Sequence, residues 1–264
     1  MTEAAATTVT FLGSADMVPD VDRDTASFLI NGRWLVDCGW CAALGMRRWG
    51  FDPLNLDALF LTHCHHDHVM GLPALLFYRG MWQPSGVVRP PLRIFGPSEE
   101  MPEAVLNARR FLRADRFPEE WAEPQINPLS PGDRYEEKAF ELRVARTQHF
   151  VPGLAWRFVD RATGAVVCFT GDTGFKPDLV PLAEGADLLI HDATNPGATP
   201  SAPGDGHSSA AEAAEIARRA GVKRLALIHY RLADAEVSLA AARAVFPKTV
   251  LAREGETIRM EMEL

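Results

Sequence analysis

Residues 61–72 read LTHCHHDHVMGL and place four histidines and one aspartate within six consecutive positions. The apolar run at 58–61 predicts a β-strand, and the segment HVMGLPALLFYRGM at 68–81 has a helical pattern, so the cluster lies in a strand-to-helix loop. In such a loop, positions i and i+2 can project to the same side. His63 and His65 can therefore bind one cation, and Asp67 and His68 can bind a second. Imidazole and carboxylate ligands suit zinc, and sometimes manganese or iron.

The length, composition and net charge of the chain limit the classes of protein to which it can belong. The chain has 264 residues, 47% of them apolar, which is enough for the core of one domain over residues 1–264. The formal charge of −8 disfavours broad electrostatic attachment to nucleic acid or to an anionic membrane. The first residues do not have the pattern of a leader peptide, and no apolar run approaches about eighteen residues. We therefore expect a cytoplasmic protein that is not bound to a membrane.

The rest of the chain alternates strand and helix patterns. Strands are predicted at VTFLG, SFLI and RWLVDCG, the last two joined across Asn31-Gly32, and later at LRIF, FELRVARTQH, LAWRFVD, AVVCFTGDT, DLLIHDA, KRLALIHY and 248–262. Helices are predicted over 98–113, SSAAEAAEIARRAG and 234–245, and a surface loop over 117–134. Several predicted strands end in a polar residue that can bind metal, namely His63, His149, Asp172, His191 and His229. In layered α/β folds, ligands usually bind at that edge.

The segment HCHHDH at 63–68 resembles the H-x-H-x-D-H signature of the metallo-β-lactamase superfamily. The other parts of that pattern occur in order, in LVDCG at 35–39, at the histidine at 149, in FTGDT at 169–173 and in LALIHY at 225–230. Within the superfamily, the chain is most similar to ribonuclease Z, through LGSADMVPDVDRDTASFLI near its start and GHSSAAEAAEIARRAGVKRLALIHY at 206–230. The resemblance covers essentially the whole chain. It implies an α/β fold, the four-layer αβ/βα sandwich in which two mixed sheets are flanked by helices.

The resemblance also implies roles for individual residues. Two zinc ions would be bound, although manganese or iron would suit the same ligands. The ligands of one ion would be His63, His65 and His149, those of the other Asp67, His68 and His229, and Asp172 would bridge the two. His207 and Asp192 match the family's proton-handling histidine and its partner acid, and we expect Asp37 to hold the histidine loop in place.

Such a metal pair lowers the pKa of a bridging water toward neutrality and stabilises charge on the attacked oxygen. We therefore expect a dinuclear zinc-dependent hydrolase, a ribonuclease Z-like phosphodiesterase that uses a metal-bridging hydroxide. Asp67 would orient or deprotonate the water. Protonated His207 would donate to the leaving oxygen, and Asp192 would raise its basicity.

Two departures from the family pattern bear on the substrate. Ribonuclease Z carries a long arm that binds transfer RNA between the residues corresponding to His149 and Asp172, where this chain has only 22 residues. The family's HEAT-like motif reads HDAT here, so Asp192 reaches one methylene less far than glutamate. Together with the acidic net charge, the short segment disfavours transfer RNA as the substrate and favours a small-molecule phosphodiester. The resemblance also makes a homodimer possible.

Other functions stay open at this point. The same metal pair could hydrolyse carboxylic esters, lactones, sulfate esters or β-lactams. An iron-dependent oxygenase or a flavoprotein-linked oxidoreductase on the same scaffold, and a degenerate binding or regulatory module, are further alternatives. The complete set of seven ligands argues for hydrolysis.

Overall fold

The computed structural model describes residues 5–82, 90–117 and 123–261. Its strands are β1 (Ala6–Gly13), β2 (Ser27–Ile30), β3 (Trp34–Val36), β4 (Ala58–Phe60), β5 (Arg93–Pro97), β6 (Gln125–Leu129), β7 (Arg134–Glu136), β8 (Phe140–Arg146), β9 (Leu154–Asp160), β10 (Val166–Phe169), β11 (Leu188–Asp192), β12 (Leu225–Ile228), β13 (Thr249–Leu251) and β14 (Thr257–Glu261). Its helices are α1 (Ala42–Arg48), α2 (His66–Val69), α3 (Leu72–Met81), α4 (Met101–Phe111), α5 (Val180–Ala183), α6 (Ala210–Ala220) and α7 (Ala235–Val245). None of the helices in these ranges is long and apolar enough to cross a membrane.

The strands form two seven-stranded sheets. The order is β14-β1-β2-β3-β4-β5-β6 in the first sheet and β13-β12-β11-β10-β9-β8-β7 in the second. In the first sheet, the pairs from β14 to β3 are antiparallel and those from β3 to β6 are parallel. In the second, the pairs from β7 to β10 are antiparallel and those from β10 to β13 are parallel. Both sheets are therefore mixed, as predicted.

A buried aromatic cluster fills the space between the sheets. The ring of Phe60 in the first sheet lies 5.6 Å from that of Phe140 and 5.6 Å from that of Trp156, both in the second sheet. Helices α1, α3 and α4 cover the outer face of the first sheet, and α5 to α7 cover that of the second. This arrangement confirms the predicted four-layer αβ/βα sandwich. Both sheets contribute to this one core.

The turns and edges agree with the predictions except in one segment. Asn31 and Gly32 have φ of 51° and 65°, and the strands that they join pair antiparallel, as predicted. The prediction of a surface loop over 117–134 is wrong for Arg134, the first residue of β7, and for Gln125–Leu129, which forms β6 and pairs parallel with β5. This edge strand is mostly exposed and contains Pro128, so its sequence lacks the apolar alternation of a strand. Residues 118–122 of the same prediction lie outside the described residues.

The strand directions decide where the site lies. Strands β8, β10, β11 and β12 run parallel to one another, so the segments that follow them meet at one edge of the second sheet. His149 lies in the loop beyond β8, Asp172 beyond β10 and His229 beyond β12. Helix α6 begins at the same edge, where a capping box between Ser209 and Glu212 fixes its first turn. His207 therefore lies two residues before the N-cap of α6.

Candidate metal centre

The loops after β4 and β8 bring three imidazole rings together. Nε2 of His63 lies 3.2 Å from Nδ1 of His65, and Nε2 of His149 lies 2.8 Å from the same atom. The carboxylate of Asp172 completes the group, with Oδ2 at 3.7 Å from Nε2 of His63 and 3.9 Å from Nε2 of His149. One ligand atom from each of the four side chains lies within 4.8 Å of the others. This first group is small enough to bind a single cation.

A second group adjoins the first and also contains Asp172. Oδ2 of Asp67 lies 3.0 Å from Nε2 of His229 and 3.2 Å from Nε2 of His68. Oδ1 of Asp172 lies 3.4 Å from Nε2 of His68, and its Oδ2 lies 3.4 Å from Nε2 of His229. Asp172 thus faces both groups, and the seven ligands predicted from the sequence lie together.

Two buried polar atoms test whether this cluster fits a metal. Nε2 of His68 and Oδ1 of Asp172 make no hydrogen bond to the described part of the chain. Leaving such an atom without a partner costs about 1–3 kcal/mol. A cation bound between the two groups would be a partner for both atoms, and imidazole nitrogen with carboxylate oxygen is a donor set that zinc prefers. The residues present therefore fit a pair of divalent metal ions.

An outer set of hydrogen bonds fixes which nitrogen faces the cluster in three of the rings. Nδ1 of His68 donates to Asp37 at 2.8 Å, Nδ1 of His149 donates to the carbonyl of Gly206 at 2.8 Å, and Nδ1 of His229 donates to the hydroxyl of Thr194 at 2.7 Å. A proton on Nδ1 leaves the lone pair on Nε2, the nitrogen that faces the other ligands. These outer partners therefore prepare the rings of His68, His149 and His229 to bind metal through Nε2.

Asp37 connects the end of β3 to the histidine loop. Its carboxylate accepts from the backbone N–H of Thr62 at 2.8 Å and from the hydroxyl of Thr62 at 2.9 Å, besides the bond from His68. The Thr62 hydroxyl in turn accepts from Nδ1 of His63 at 3.1 Å. The position of Asp37 agrees with its predicted role of holding the loop. Thr62 and Thr194 were not identified from the sequence, because hydroxyl residues near strand ends are common and carry no signal of their own.

Replacing Asp37 with asparagine is expected to lower metal affinity by about 10- to 100-fold. The amide has only one acceptor oxygen for the three donors that now share the carboxylate. Competition with a chromogenic chelator measures the affinity. Asp22→Asn is a matched control, since Asp22 has a positive φ of 59°, close to the 53° of Asp37, but its side chain is 76% exposed. Equal metal affinities in the two variants would show that Asp37 does not support the metal site.

His207 and Asp192 form a pair beside the cluster. Nδ1 of His207 lies 3.1 Å from Oδ2 of Asp192 and 3.8 Å from Oδ2 of Asp172. Asp192 is fully buried and is oriented by the backbone N–H and the hydroxyl of Thr194, at 2.9 and 2.6 Å. Burial alone would lower the pKa of His207, but the hydrogen bond and charge of Asp192 raise it to about 9. The shorter aspartate of HDAT therefore still reaches the histidine.

Burial and charge shift pKa values in opposite directions within the cluster. Burial lowers the pKa of His63 well below its ordinary value and also lowers that of His149. Burial has the same effect on His68, but neighbouring carboxylates, Asp172 first, raise its pKa. The pKa of Asp67 is lowered although burial opposes this, because His229 hydrogen-bonds to it and the imidazole of His68 lies beside it. Neutral imidazole and ionised carboxylate are the forms that bind a cation.

Two histidines near the cluster do not belong to it. His66 is the first residue of α2 and is exposed. His191 is fully buried in β11, beside Leu227 on the face of the sheet that α6 covers, and its Nδ1 bonds the carbonyl of Asp192 at 2.9 Å. His191 therefore lies outside the cluster, because its side chain alternates to the helix side of the sheet.

Known proteins resemble this chain along most of its length. The family model described as the beta-lactamase superfamily domain matches residues 32–230. A ribonuclease Z of Methanothermobacter thermautotrophicus is 31% identical, and the match covers 96% of each chain. A ribonuclease Z of a Mycobacterium species is 36% identical over 84% of this chain and 83% of its own length. A ribonuclease BN of Cronobacter sakazakii is 30% identical over 95% and 99%.

Solved structures show the same fold. The metallo-β-lactamase fold protein YhfI of Bacillus subtilis superposes with a TM-score of 0.79 at 23% identity, over 98% of this chain and 100% of that one. The short form of human tRNase Z gives a TM-score of 0.75 at 24% identity, over 97% and 100%. These likenesses support the architecture, and the sequence matches decide the family. The chain therefore belongs to the β-lactamase superfamily and, within it, to the ribonuclease Z family of hydrolases.

Proposed function

We propose that this protein is a dinuclear zinc-dependent phosphodiesterase that acts on small phosphodiesters. The observation that carries the proposal is the convergence of seven imidazole and carboxylate side chains into two groups that share Asp172. The pair of His207 and Asp192 adjoins that shared residue and adds a candidate proton donor. The relatives named ribonuclease Z and ribonuclease BN support cleavage of a phosphodiester bond.

Individual residues of the chain have different roles in the proposed hydrolysis. Two bound zinc ions would polarise the phosphoryl oxygens and make a water nucleophilic at neutral pH. Asp67 orients that water and accepts its proton as the water oxygen attacks phosphorus. The P–O bond to the leaving group then breaks, and His207 donates a proton to the departing oxygen. Asp192 holds Nδ1 of His207 at 3.1 Å, and the opposite ring nitrogen, Nε2, makes that donation.

The short connection between His149 and Asp172 supports a small substrate. Its 22 residues form the hairpin of β9 and β10, whose strands pair directly from Val159–Val166 to Trp156–Phe169. The alignment with the Methanothermobacter ribonuclease Z runs over 310 positions, more than the 264 residues of this chain, so that relative contains segments that this chain lacks. The net charge of −8 further weakens attraction to RNA. We therefore propose that transfer RNA is not the preferred substrate.

Metal analysis and a turnover panel test the proposal. We expect about two zinc ions per chain and turnover of bis(p-nitrophenyl) phosphate that a chelator abolishes and zinc restores. The panel adds a cyclic nucleotide, a lactone, an aryl sulfate, a β-lactam and a transfer RNA with a 3′ extension. Faster turnover of the lactone, sulfate or β-lactam than of the phosphodiesters would contradict the proposed phosphodiesterase activity. Faster cleavage of the transfer RNA than of the small phosphodiesters would contradict only the proposed preference for a small substrate.

We also propose that the chain forms a homodimer in the cytoplasm, as the resemblance and the composition imply. Helices α1, α3 and α4 carry exposed apolar side chains on their outer surface, among them Leu44, Phe77, Met81 and Phe111, which are 50–77% exposed. Exposed apolar patches of this kind commonly mark protein interaction sites. A second copy of the chain would remove this surface from water.

A further inference from the structure

Phe150 is an aromatic residue at the site for which the hydrolytic chemistry gives no role. It follows His149 directly and is 68% exposed, although phenylalanine is usually buried. Its ring centre lies 5.2 Å from that of His149 and 6.3 Å from that of His207. The ring thus lies beside one proposed ligand and the proposed proton donor, while most of its surface faces solvent.

The Phe150 ring lies against the position that a Cβ atom of residue 206 would occupy. A Cβ atom at Gly206 would lie 2.6 Å from Cε2 of Phe150 and 2.7 Å from Nδ1 of His149, so only glycine allows the ring to pack this closely. The carbonyl of the same glycine accepts the hydrogen bond from His149. The same glycine therefore lies beside the Phe150 ring and also hydrogen-bonds a proposed metal ligand, which places the ring next to the cluster.

We propose that Phe150 is a stacking surface for a planar group of the substrate, so that the preferred phosphodiester carries a nucleobase or another aromatic ring. This inference rests on the proposed function and narrows its substrate class. Aromatic side chains bind bases by stacking with little sequence preference, because every base has a π-face. A planar group stacked on Phe150 would lie beside His149 and His207, so a phosphate attached to it through a short linker could reach the cluster. The exposure of the ring then has a function.

Two esters with the same leaving group test the inference. The 4-nitrophenyl ester of thymidine 5′-phosphate and methyl 4-nitrophenyl phosphate both lose 4-nitrophenolate when water attacks phosphorus, but only the first carries a base. We expect the native protein to prefer the nucleoside ester in kcat/KM. Phe150→Ala and Phe150→Leu should each reduce that preference about tenfold, mainly through KM. Phe150→Tyr and Phe150→Trp should retain it, because they keep a ring.

The variants separate stacking from a merely structural role. If Phe150 only shields the histidines, Phe150→Leu will behave like the native protein and Phe150→Ala will impair both esters alike. Zinc content per chain is measured for every variant. If Phe150→Ala binds less zinc than the native protein, the comparison of Phe150→Leu with Phe150→Tyr distinguishes stacking from a structural role. An unchanged preference in the leucine variant, or no preference in the native protein, would overturn the inference while leaving the phosphodiesterase intact. Failure to hydrolyse either ester would remove the proposed function itself.

Discussion

The Asp172→Asn variant is expected to lose at least about 10³-fold in kcat/KM toward bis(p-nitrophenyl) phosphate. Its two carboxylate oxygens serve different partners, since Oδ1 faces His68 and Oδ2 faces His63, His149 and His229. An amide keeps only one oxygen and no charge, so it cannot complete both groups. Metal content per chain, measured by mass spectrometry, should fall together with the activity.

The control for this variant is Asp178→Asn. The carboxylate of Asp178 is 86% exposed and pairs only loosely with Lys176 at 3.5 Å, so the same chemical change should leave metal content and turnover as they are. If Asp172→Asn still bound two metal ions and retained its activity, the shared-ligand assignment would be wrong. Circular dichroism spectra of both variants verify that the sandwich still folds.

Replacing His207 with alanine is expected to lower kcat by about 10²- to 10⁴-fold while metal content stays at the native value. The loss should depend on the leaving group, because 4-nitrophenolate departs without a proton whereas an alkoxide needs one. The variant should therefore be impaired much less toward bis(p-nitrophenyl) phosphate than toward a cyclic nucleotide. Parallel turnover measurements with the two substrates reveal this difference.

His66→Ala is the matched control for His207→Ala. His66 lies between two proposed ligands in sequence, yet its side chain is exposed and belongs to neither group. It should retain metal and turnover of both substrates. Loss of metal from His207→Ala would make His207 a ligand, and an equal loss toward both leaving groups would exclude a role as proton donor.

Local patterns made much of the fold and of the site predictable. The i, i+2 spacing of His63 and His65 after an apolar strand indicates a metal loop, and an apolar strand followed by Asp172 or His229 is typical of a ligand at the edge of a sheet. The Asn31-Gly32 turn is likewise predictable from the φ preferences of these two residues alone. What these features share is that the signal and the structure lie within a few residues of one another.

Features that depend on distant contacts were not predictable in the same way. The bond between Asp67 and His229 joins residues 162 positions apart, and β1 pairs with β14 at the other end of the described chain. No residue pattern gives the order of strands in the two sheets. The roles of Thr194 and Phe150 depend on the same long-range packing, because the contact of Thr194 with His229 and that of Phe150 with His207 join residues far apart in the sequence.

Anomalous X-ray scattering at the zinc absorption edge, from crystals of the zinc-loaded protein, would locate the proposed metal pair. We expect two peaks, one among His63, His65 and His149 and one among Asp67, His68 and His229, with Asp172 in contact with both. A single peak, peaks elsewhere on the chain, or no peak in a protein that still hydrolyses phosphodiesters would contradict the dinuclear site.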